Sequence, residues 1–403
     1  MGRSDFQALM IRHPLNMPMY PDSKKNKHIF IMAGEASGEA YGARLVKAAR
    51  AMDPDLRFSG VGGQAMAAAG VDLLYPASSL TVMGLTGVLL NLVHIWKVLK
   101  NLEAHLQATR PDLVVLIDFA GFNFRLAAIA KKLDLKVLYY VSPKIWAWRT
   151  GRARKLSRLA DHLAVLFPFE KDFYARTAPE LPVTFVGHPI LDEEADDNLP
   201  DLPARVCPPG KTLIGLLPGS RRTEISRLMP VLMGAARIIK SEYPEAVFAL
   251  PLAPGLTRDE ITPHLDPSLP LTLLDGQARQ VMTGSRILLI ASGTATLQAT
   301  LAAVPMIVIY KFSRINAALA RRLIKVKYAS MTNLILGYEL LPELLQEEAT
   351  PDKLAAAALS LLRDERRRQA MITGMKQARR LLGGPGASRR AAQLALNMIT
   401  GYN

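Results

Sequence analysis

Short runs of Val, Leu and Ile recur along this chain, separated by helix-length segments, and that rhythm leaves few folds open. The first strand is His28–Ala33, followed by a glycine-containing turn and a helix that places Leu45, Ala48, Ala49 and Met52 on one face. Leu113–Ile117, Val137–Val141, Leu163–Phe167 and Val183–Val186 continue the series. Around Leu191–Gly210 the composition turns acidic and proline-rich, which marks a linker. The rhythm then restarts at Thr212–Leu217, Ala246–Leu250, Leu271–Leu274, Ile287–Ile290 and Met306–Ile309. Uninterrupted apolar strands joined by helices form parallel sheets covered on both faces. The chain is therefore predicted to be α/β, with two doubly wound Rossmann-like domains at 27–195 and 211–350. Helices follow at 351–403, and 1–26 is read as a disordered leader or an upstream start, with Met17 or Met19 as the true beginning.

A length of 403 residues, half of them hydrophobic, suits two sizeable cores. The single cysteine, Cys207, excludes an internal disulfide framework and a cysteine-based metal site. The net charge of +15 suits an anionic partner: nucleic acid, a phosphorylated small molecule or an anionic membrane surface. No RNA-binding signature or zinc-finger spacing is present, which disfavours nucleic acid. The leader lacks the apolar core of a secretory signal. The most apolar helical stretch, Leu80 to Leu99, contains Asn91, His94 and Lys97, so it does not read as a transmembrane span.

Ligands of open α/β sheets lie beyond the carboxyl ends of the strands, so the loops there carry the chemistry. In the second half, Leu217-Pro-Gly-Ser-Arg221 follows a strand and opens a helix. Gly219 lets the backbone come close to a ligand, the helix start at Ser220 offers N–H groups to an anion, and Arg221 adds a forked cationic contact. An ordinary turn with exposed arginines has the same pattern. Ser292, Gly293, Thr294, Ala295 and Thr296 take the same place after Ile287–Ile290, and they suit a phosphate or ribose as well as a capped helix. Neither loop is GxxxxGK[ST] or GxGxxG, which disfavours P-loop ATPases and dinucleotide enzymes.

In the first half, Asp118 ends a buried strand, placed either as a general base or as a helix cap. Glu35 and Ser37 sit similarly after the first strand. Trp146, Trp148 and Arg149 precede the basic residues Arg152, Arg154 and Lys155, a mixture that fits a lipid headgroup region or a core tryptophan pair with solvated charges. His188 stands at the linker, where a lone histidine is usually structural.

Together these strings resemble the lipid-A-disaccharide synthase family. The matching pieces are Ala33-Gly-Glu-Ala-Ser-Gly38, Val82-Met-Gly84, Ile117-Asp118 with Phe122-Asn123, Tyr140-Val-Ser-Pro143 and Trp146-Ala-Trp-Arg149. Phe167-Pro-Phe-Glu170, Phe185-Val-Gly-His188, Leu217-Pro-Gly-Ser-Arg221, Ala291-Ser-Gly-Thr-Ala295, Pro305-Met306 and Leu344-Leu-Gln346 follow in family order. The resemblance implies the GT-B architecture, two domains facing a central cleft. It implies an inverting transfer from UDP-2,3-diacylglucosamine to 2,3-diacylglucosamine 1-phosphate, giving a β-1,6 bond and UDP. No cofactor and no catalytic metal are implied. Asp118 would be the base with Glu35 as helper. UDP would meet Gly219, Ser220, Arg221, the Ser292–Thr296 loop, Gln298, Asn333 and Gln346. Ser37, Met83, Trp146, Trp148 and Arg149 would face the acceptor and an anionic membrane surface. The enzyme would sit in the cytoplasm, peripherally on the inner face of the inner membrane; a homo-oligomer is compatible with this.

The chain departs from the family pattern at Glu39, Gly87, Ala120-Gly121, Gln298 and Thr332. Gln298 keeps hydrogen-bonding capacity toward a ribose without a charge. Two alternatives stand beside this reading: another GT-B UDP-GlcNAc transferase or epimerase with a soluble acceptor, and a paralogue that binds sugar nucleotides without turnover.

Overall fold

The computed structural model describes residues 27–80, 88–192, 202–313 and 326–401. The leader and Met83 lie outside them. The first domain runs β1 His28–Ala33, α1 Ala36–Met52, β2 Arg57–Gly62, α2 Gln64–Ala68, β3 Val71–Pro76, α3 Val88–Thr109, β4 Leu113–Ile117 and α4 Ala120–Lys132. It continues β5 Val137–Tyr140, α5 Ile145–Trp148, α6 Ala153–Ser157, β6 His162–Val165, α7 Pro168–Thr177 and β7 Val183–Phe185. The strands form one sheet in the order β3-β2-β1-β4-β5-β6-β7, with every pair parallel. β2 and β3 are absent from the sequence reading. Arg-Phe-Ser-Gly-Val-Gly and Val-Asp-Leu-Leu-Tyr-Pro lack the long aliphatic run of the central strands.

The second domain runs β8 Thr212–Leu217, α8 Arg222–Glu242, β9 Ala246–Leu252, α9 Arg258–Ile261, β10 Leu271–Asp275, α10 Ala278–Gly284 and β11 Ile287–Ala291. Then come α11 Thr294–Leu301, β12 Met306–Tyr310, α12 Met331–Leu336 and β13 Glu343–Leu345. Its parallel sheet has the order β10-β9-β8-β11-β12-β13. The chain closes with α13 Pro351–Arg363, α14 Glu365–Leu381 and α15 Ala387–Thr400.

Strand periodicity divides the first core in two. Ile29, Ile31, Leu113, Val115 and Ile117 point to one face, where α1 brings Leu45, Val46 and Ala49. Phe30, Met32, Val114 and Leu116 point to the other, against Leu102 and Leu106 of α3 and Leu126 of α4. Each such fully buried aliphatic side chain contributes about 1.5–3 kcal/mol. The last helices divide between the domains. α13 and α14 complete the second core with Leu354, Ala355, Ala358, Met371 and Met375. α15 crosses back, laying Ala391, Ala392, Ala395 and Leu396 on the α1 side of the first sheet.

The return is pinned where the chain leaves the first domain. The Asp192 carboxylate accepts from the amides of Gly386, Ala387 and Ser388 at 2.6, 3.1 and 3.0 Å and from the Ser388 hydroxyl at 2.7 Å. Arg390 Nε donates to the Val186 carbonyl at 2.8 Å, and the His188 amide donates to the Leu382 carbonyl at 3.3 Å. The outgoing and returning segments therefore lie side by side. His188 is part of this joint: its ring is buried between Tyr41 and Phe167, its Nδ1 accepts from the Ile190 amide, and burial lowers its pKa to about 4. A further apolar cluster bridges the domains, with Phe167, Phe169, Ile190 and Leu191 against Leu297 and Leu301 of α11. No helix among the described residues is long and apolar enough to cross a membrane.

Burial raises the Asp192 pKa, but the Ser388, Gly386 and Ala387 donors outweigh it, and the group titrates below the usual carboxylate range. Its stabilisation is thus present above the unfolded-state pKa and lost as pH falls through the folded one. Asp192→Ala is expected to lower the free energy of unfolding at neutral pH by about 1–2 kcal/mol, as for a lost helix cap. Denaturant unfolding at pH 7 and pH 3 checks this; the difference between variant and parent should shrink at the lower pH.

Candidate active site

Each sheet reverses its winding at one place: between β1 and β4 in the first domain and between β8 and β11 in the second. Loops leave in opposite directions there and open a crevice at the strand ends. Glu35, Ser37 and Asp118 stand at the first switch, and Gly219, Ser220, Arg221 and Ser292–Thr296 at the second.

Asp118 sits on a distorted strand end. Asp118 and Phe119 both take left-handed backbone, φ 45° and 40°, a region costly for residues with a side chain. The distortion is held from beneath. Tyr139 Oη donates to the Asp118 carbonyl at 2.6 Å, and Asn123 Nδ2 donates to the same carbonyl at 2.9 Å and to that of Ile117 at 3.1 Å. From above, Phe119 lies so close to Gly34 that a Cβ there would meet its ring at 2.4 Å. The glycine thus lets the β1 and β4 loops touch, which brings Glu35 into electrostatic range of Asp118. Burial first, and the Glu35 charge second, raise the Asp118 carboxyl to about 6, against the pull of Lys144 and the Phe119 amide. The result is a half-buried carboxylate on a strained strand end, titrating at about 6. Tyr139 and Lys144 are the members that sequence reasoning missed. Tyr139 was indistinguishable from core in an apolar strand, and Lys144 was passed over between more distinctive neighbours. Glu35 and Ser37 are exposed at the start of α1.

The second switch differs from the sequence expectation at one loop. The two amides just before α8 are not open to an anion, because Glu224 folds back over them. Its Oε2 accepts from the Ser220 and Arg221 amides at 3.2 and 3.3 Å, and its Oε1 accepts from Tyr310 Oη at 3.3 Å. Gly219, φ 101°, leaves room for that carboxylate, which a Cβ would approach to 2.3 Å. Arg221 reaches Glu224 at 3.3 Å but is three-quarters exposed, so the pair is weak and the guanidinium stays accessible. α11 has no such plug. Gly293 is exposed at its N-terminus and no side chain caps it. Thr294 and Gln298 are exposed and Ala295 half-buried, whereas Thr296 is buried with its hydroxyl on the Gly293 carbonyl at 2.7 Å. Ser292 Oγ donates to the Ala329 carbonyl at 3.1 Å.

Asn333 does not reach the crevice. It is fully buried, its Nδ2 donates to the Leu341 carbonyl and Glu343 Oε1, and its Oδ1 accepts from the Leu340 and Leu341 amides. Glu343 in turn accepts from the Ala329 and Ser330 amides at 2.6 and 2.9 Å. Asn333 therefore supports the donor loop at one remove, through Ala329 and Ser292. Gln346 does line a cleft of about 440 Å³, with Arg227, Lys311, Phe312, Ser313 and Glu347. Its backbone has φ 53° and its buried Nε2 has no partner among the described residues.

The tryptophans separate. Trp146 is buried, while Trp148 is 38% exposed with the Arg149 guanidinium 4.0 Å above its ring. Two departures from the family pattern have local explanations. Glu39 Oε1 caps the start of α2 by accepting from the Ala65 amide at 2.8 Å, and the Thr332 hydroxyl meets that of Thr300 at 2.6 Å in the buried α11–α12 contact.

A family model described as lipid-A-disaccharide synthetase matches residues 29–398. A lipid-A-disaccharide synthase of Trichlorobacter lovleyi is 42% identical over 376 residues, covering 93% of this chain and 98% of the relative. One from Nitrosococcus oceani is 42% identical over 379 residues, covering 93% and 97%. Among solved structures, a putative UDP-N-acetylglucosamine 2-epimerase from Listeria monocytogenes superposes with a TM-score of 0.66 at 14% identity, covering 94% of this chain and 98% of that one. The glycotransferase of kitacinnamycin superposes at 0.62 and 16% identity, covering 93% and 99%. These structures share the GT-B fold.

The saturated Asn333 network makes a separable prediction. Asn333→Ala strands buried donors and acceptors, so the unfolding free energy should fall by about 1–3 kcal/mol. Thermal or denaturant unfolding reads this directly, and an unchanged midpoint would contradict a supporting role.

Proposed function

Since the chain belongs to the lipid-A-disaccharide synthase family, glycosyltransferases of lipid A biosynthesis, we propose that it joins UDP-2,3-diacylglucosamine to 2,3-diacylglucosamine 1-phosphate with Asp118 as general base. The observation that carries the assignment is the strained Asp118 carboxylate at the first switch point, with its pKa raised to about 6. The acceptor's 6-hydroxyl gives its proton to Asp118 as its oxygen attacks C1 of the donor. The C1–O bond to UDP breaks on the opposite face, its electron pair leaves with the diphosphate, and the configuration inverts to β. Glu35 supports the base by keeping Asp118 basic, and Lys144 limits that shift.

UDP is assigned to the second switch. Its diphosphate would lie at the uncapped start of α11, where N–H groups and the helix dipole meet negative charge, with Arg221 beside it. The Ser220 and Arg221 amides are already bonded to Glu224, which favours α11 over that loop for the role. Gln346 would offer its unpartnered amide from the far side of the second domain's cleft. Gln298, exposed on α11, would meet the ribose.

Both substrates carry acyl chains, so the first domain is proposed to meet the inner face of the inner membrane. The candidate contacts are Val93 and Trp96 of α3, 55% and 60% exposed, and Trp148 with the basic run Arg149, Arg152, Arg154, Lys155 and Arg158. Ser37 is assigned to the acceptor on its exposed position beside Glu35.

Two outcomes test this reading. Asp118→Asn keeps shape and removes basicity, so turnover of the diacylated pair should fall about 10²–10⁴-fold with the fold retained. In the parent, kcat/KM should drop as pH falls through about 6, because the working form is the carboxylate. Near-normal turnover in the variant would remove Asp118 from the mechanism. On anionic vesicles, salt should release the protein only in part, because it screens charge and leaves apolar insertion in place. Full release by salt alone would argue against insertion.

A further inference from the structure

Glu170 is an unusual helix cap. It occupies the third position of α7, and its Oε2 accepts from the Leu166 and Phe167 amides at 3.1 and 3.0 Å. Glutamates of that kind serve the first turn of a helix at low cost because they stay hydrated. Glu170 is 2% exposed. Its second oxygen accepts the indole N–H of buried Trp146 at 3.0 Å. An indole has one donor and no acceptor, so burying Trp146 requires such a partner. Burial pushes the carboxyl up to about 7 against the donors from Phe167, Trp146 and Leu166. A cap alone does not call for a buried charge on a tryptophan from another element.

The same turn of α7 holds the ring from a second side. Phe169 meets Trp146 edge-on, centroids 4.9 Å apart, and stacks on Phe167 at 5.6 Å. Phe167 and Phe169 pack against Leu297 and Leu301 of α11, the helix whose start is assigned to the donor diphosphate. Trp146 itself lies between Lys144, whose charge is felt by Asp118, and the exposed Trp148–Arg149 pair. Trp146 is thus the buried post on which the acceptor-side segment turns.

We propose that Glu170 is a positioning residue for acceptor recognition, acting through Trp146 to hold the segment Lys144–Arg149 in place. This rests on the expectation, drawn from the family resemblance, that Trp146, Trp148 and Arg149 belong to the acceptor side. Glu170→Gln keeps the volume but turns one amide end, a donor, toward N–H donors. Trp146→Phe keeps a ring against Phe169 and deletes the N–H together with part of the indole's buried volume, a loss that unfolding of the variant reads separately.

The test is a double-mutant cycle read in steady-state kinetics with the diacylated donor and acceptor, alongside UDP affinity by calorimetry. Each single variant should raise the acceptor KM about tenfold, the scale of one hydrogen bond to a charged group. The double variant should be no worse than the weaker single one, because both delete the same contact. UDP affinity and kcat at saturating acceptor should stay within about twofold of the parent, a split that general loosening of the fold would not give. An unchanged acceptor KM, multiplying effects, or an equal loss of UDP binding would overturn the proposal. Should Glu170→Gln not fold, Trp146→Phe alone decides it by the same KM. An active parent whose variants match it refutes the positioning role alone. A parent inactive on the pair refutes the acceptor assignment, and this proposal with it.

Discussion

Both sheets are wholly parallel, and that constraint orders everything else. No parallel strand can reach its neighbour by a tight turn, so each needs a crossover, and each crossover covers a face. With both faces covered, the strand edges and loops at the carboxyl ends are the places left for polar chemistry. Strand order then does the rest: where winding reverses, two loops part and a crevice remains. The first domain cannot cover its α1 face by itself, and α15 returns from the other end of the chain to finish it.

At the crevice, the stability of the sheet is spent on geometry. Asp118, Phe119 and Val141, at adjacent strand ends, all have positive φ. For the β-branched valine this is a marked outlier, and three together fit a structure that over-determines its loops. The restraint on Asp118 comes from Tyr139 and Asn123, both anchored in the core. These bonds hold the backbone carbonyl of Asp118, so what they fix is the strand end from which the carboxylate projects.

Much of this was legible in the residues. Apolar runs located ten of the strands, and small, hydroxyl and acidic residues after them located both switch-point loops. Strands whose side chains are mixed, such as β2 with Ser59 and two glycines, escaped because their partners rather than their own composition hold them in the sheet. Partnership was likewise invisible. Nothing local shows that Asn333 would place all its bonds inside, or that one of two neighbouring tryptophans would be buried and the other exposed. Charge and hydroxyl content announce a site; which group faces the ligand is decided by contacts distant in sequence.

The chain passes between its domains twice, and the two passages lie against each other, joined by the His188–Leu382 hydrogen bond and flanked by the Asp192 clasp. Mechanically this is a flexure, not a tether. Paired strips fixed at both ends bend readily about the line they share, whereas sliding one body past the other loads both strips in tension. Bending about that shared line is the motion such a joint resists least, and the apolar cluster of Phe167, Phe169, Leu297 and Leu301 beside it is what that bending would have to work against.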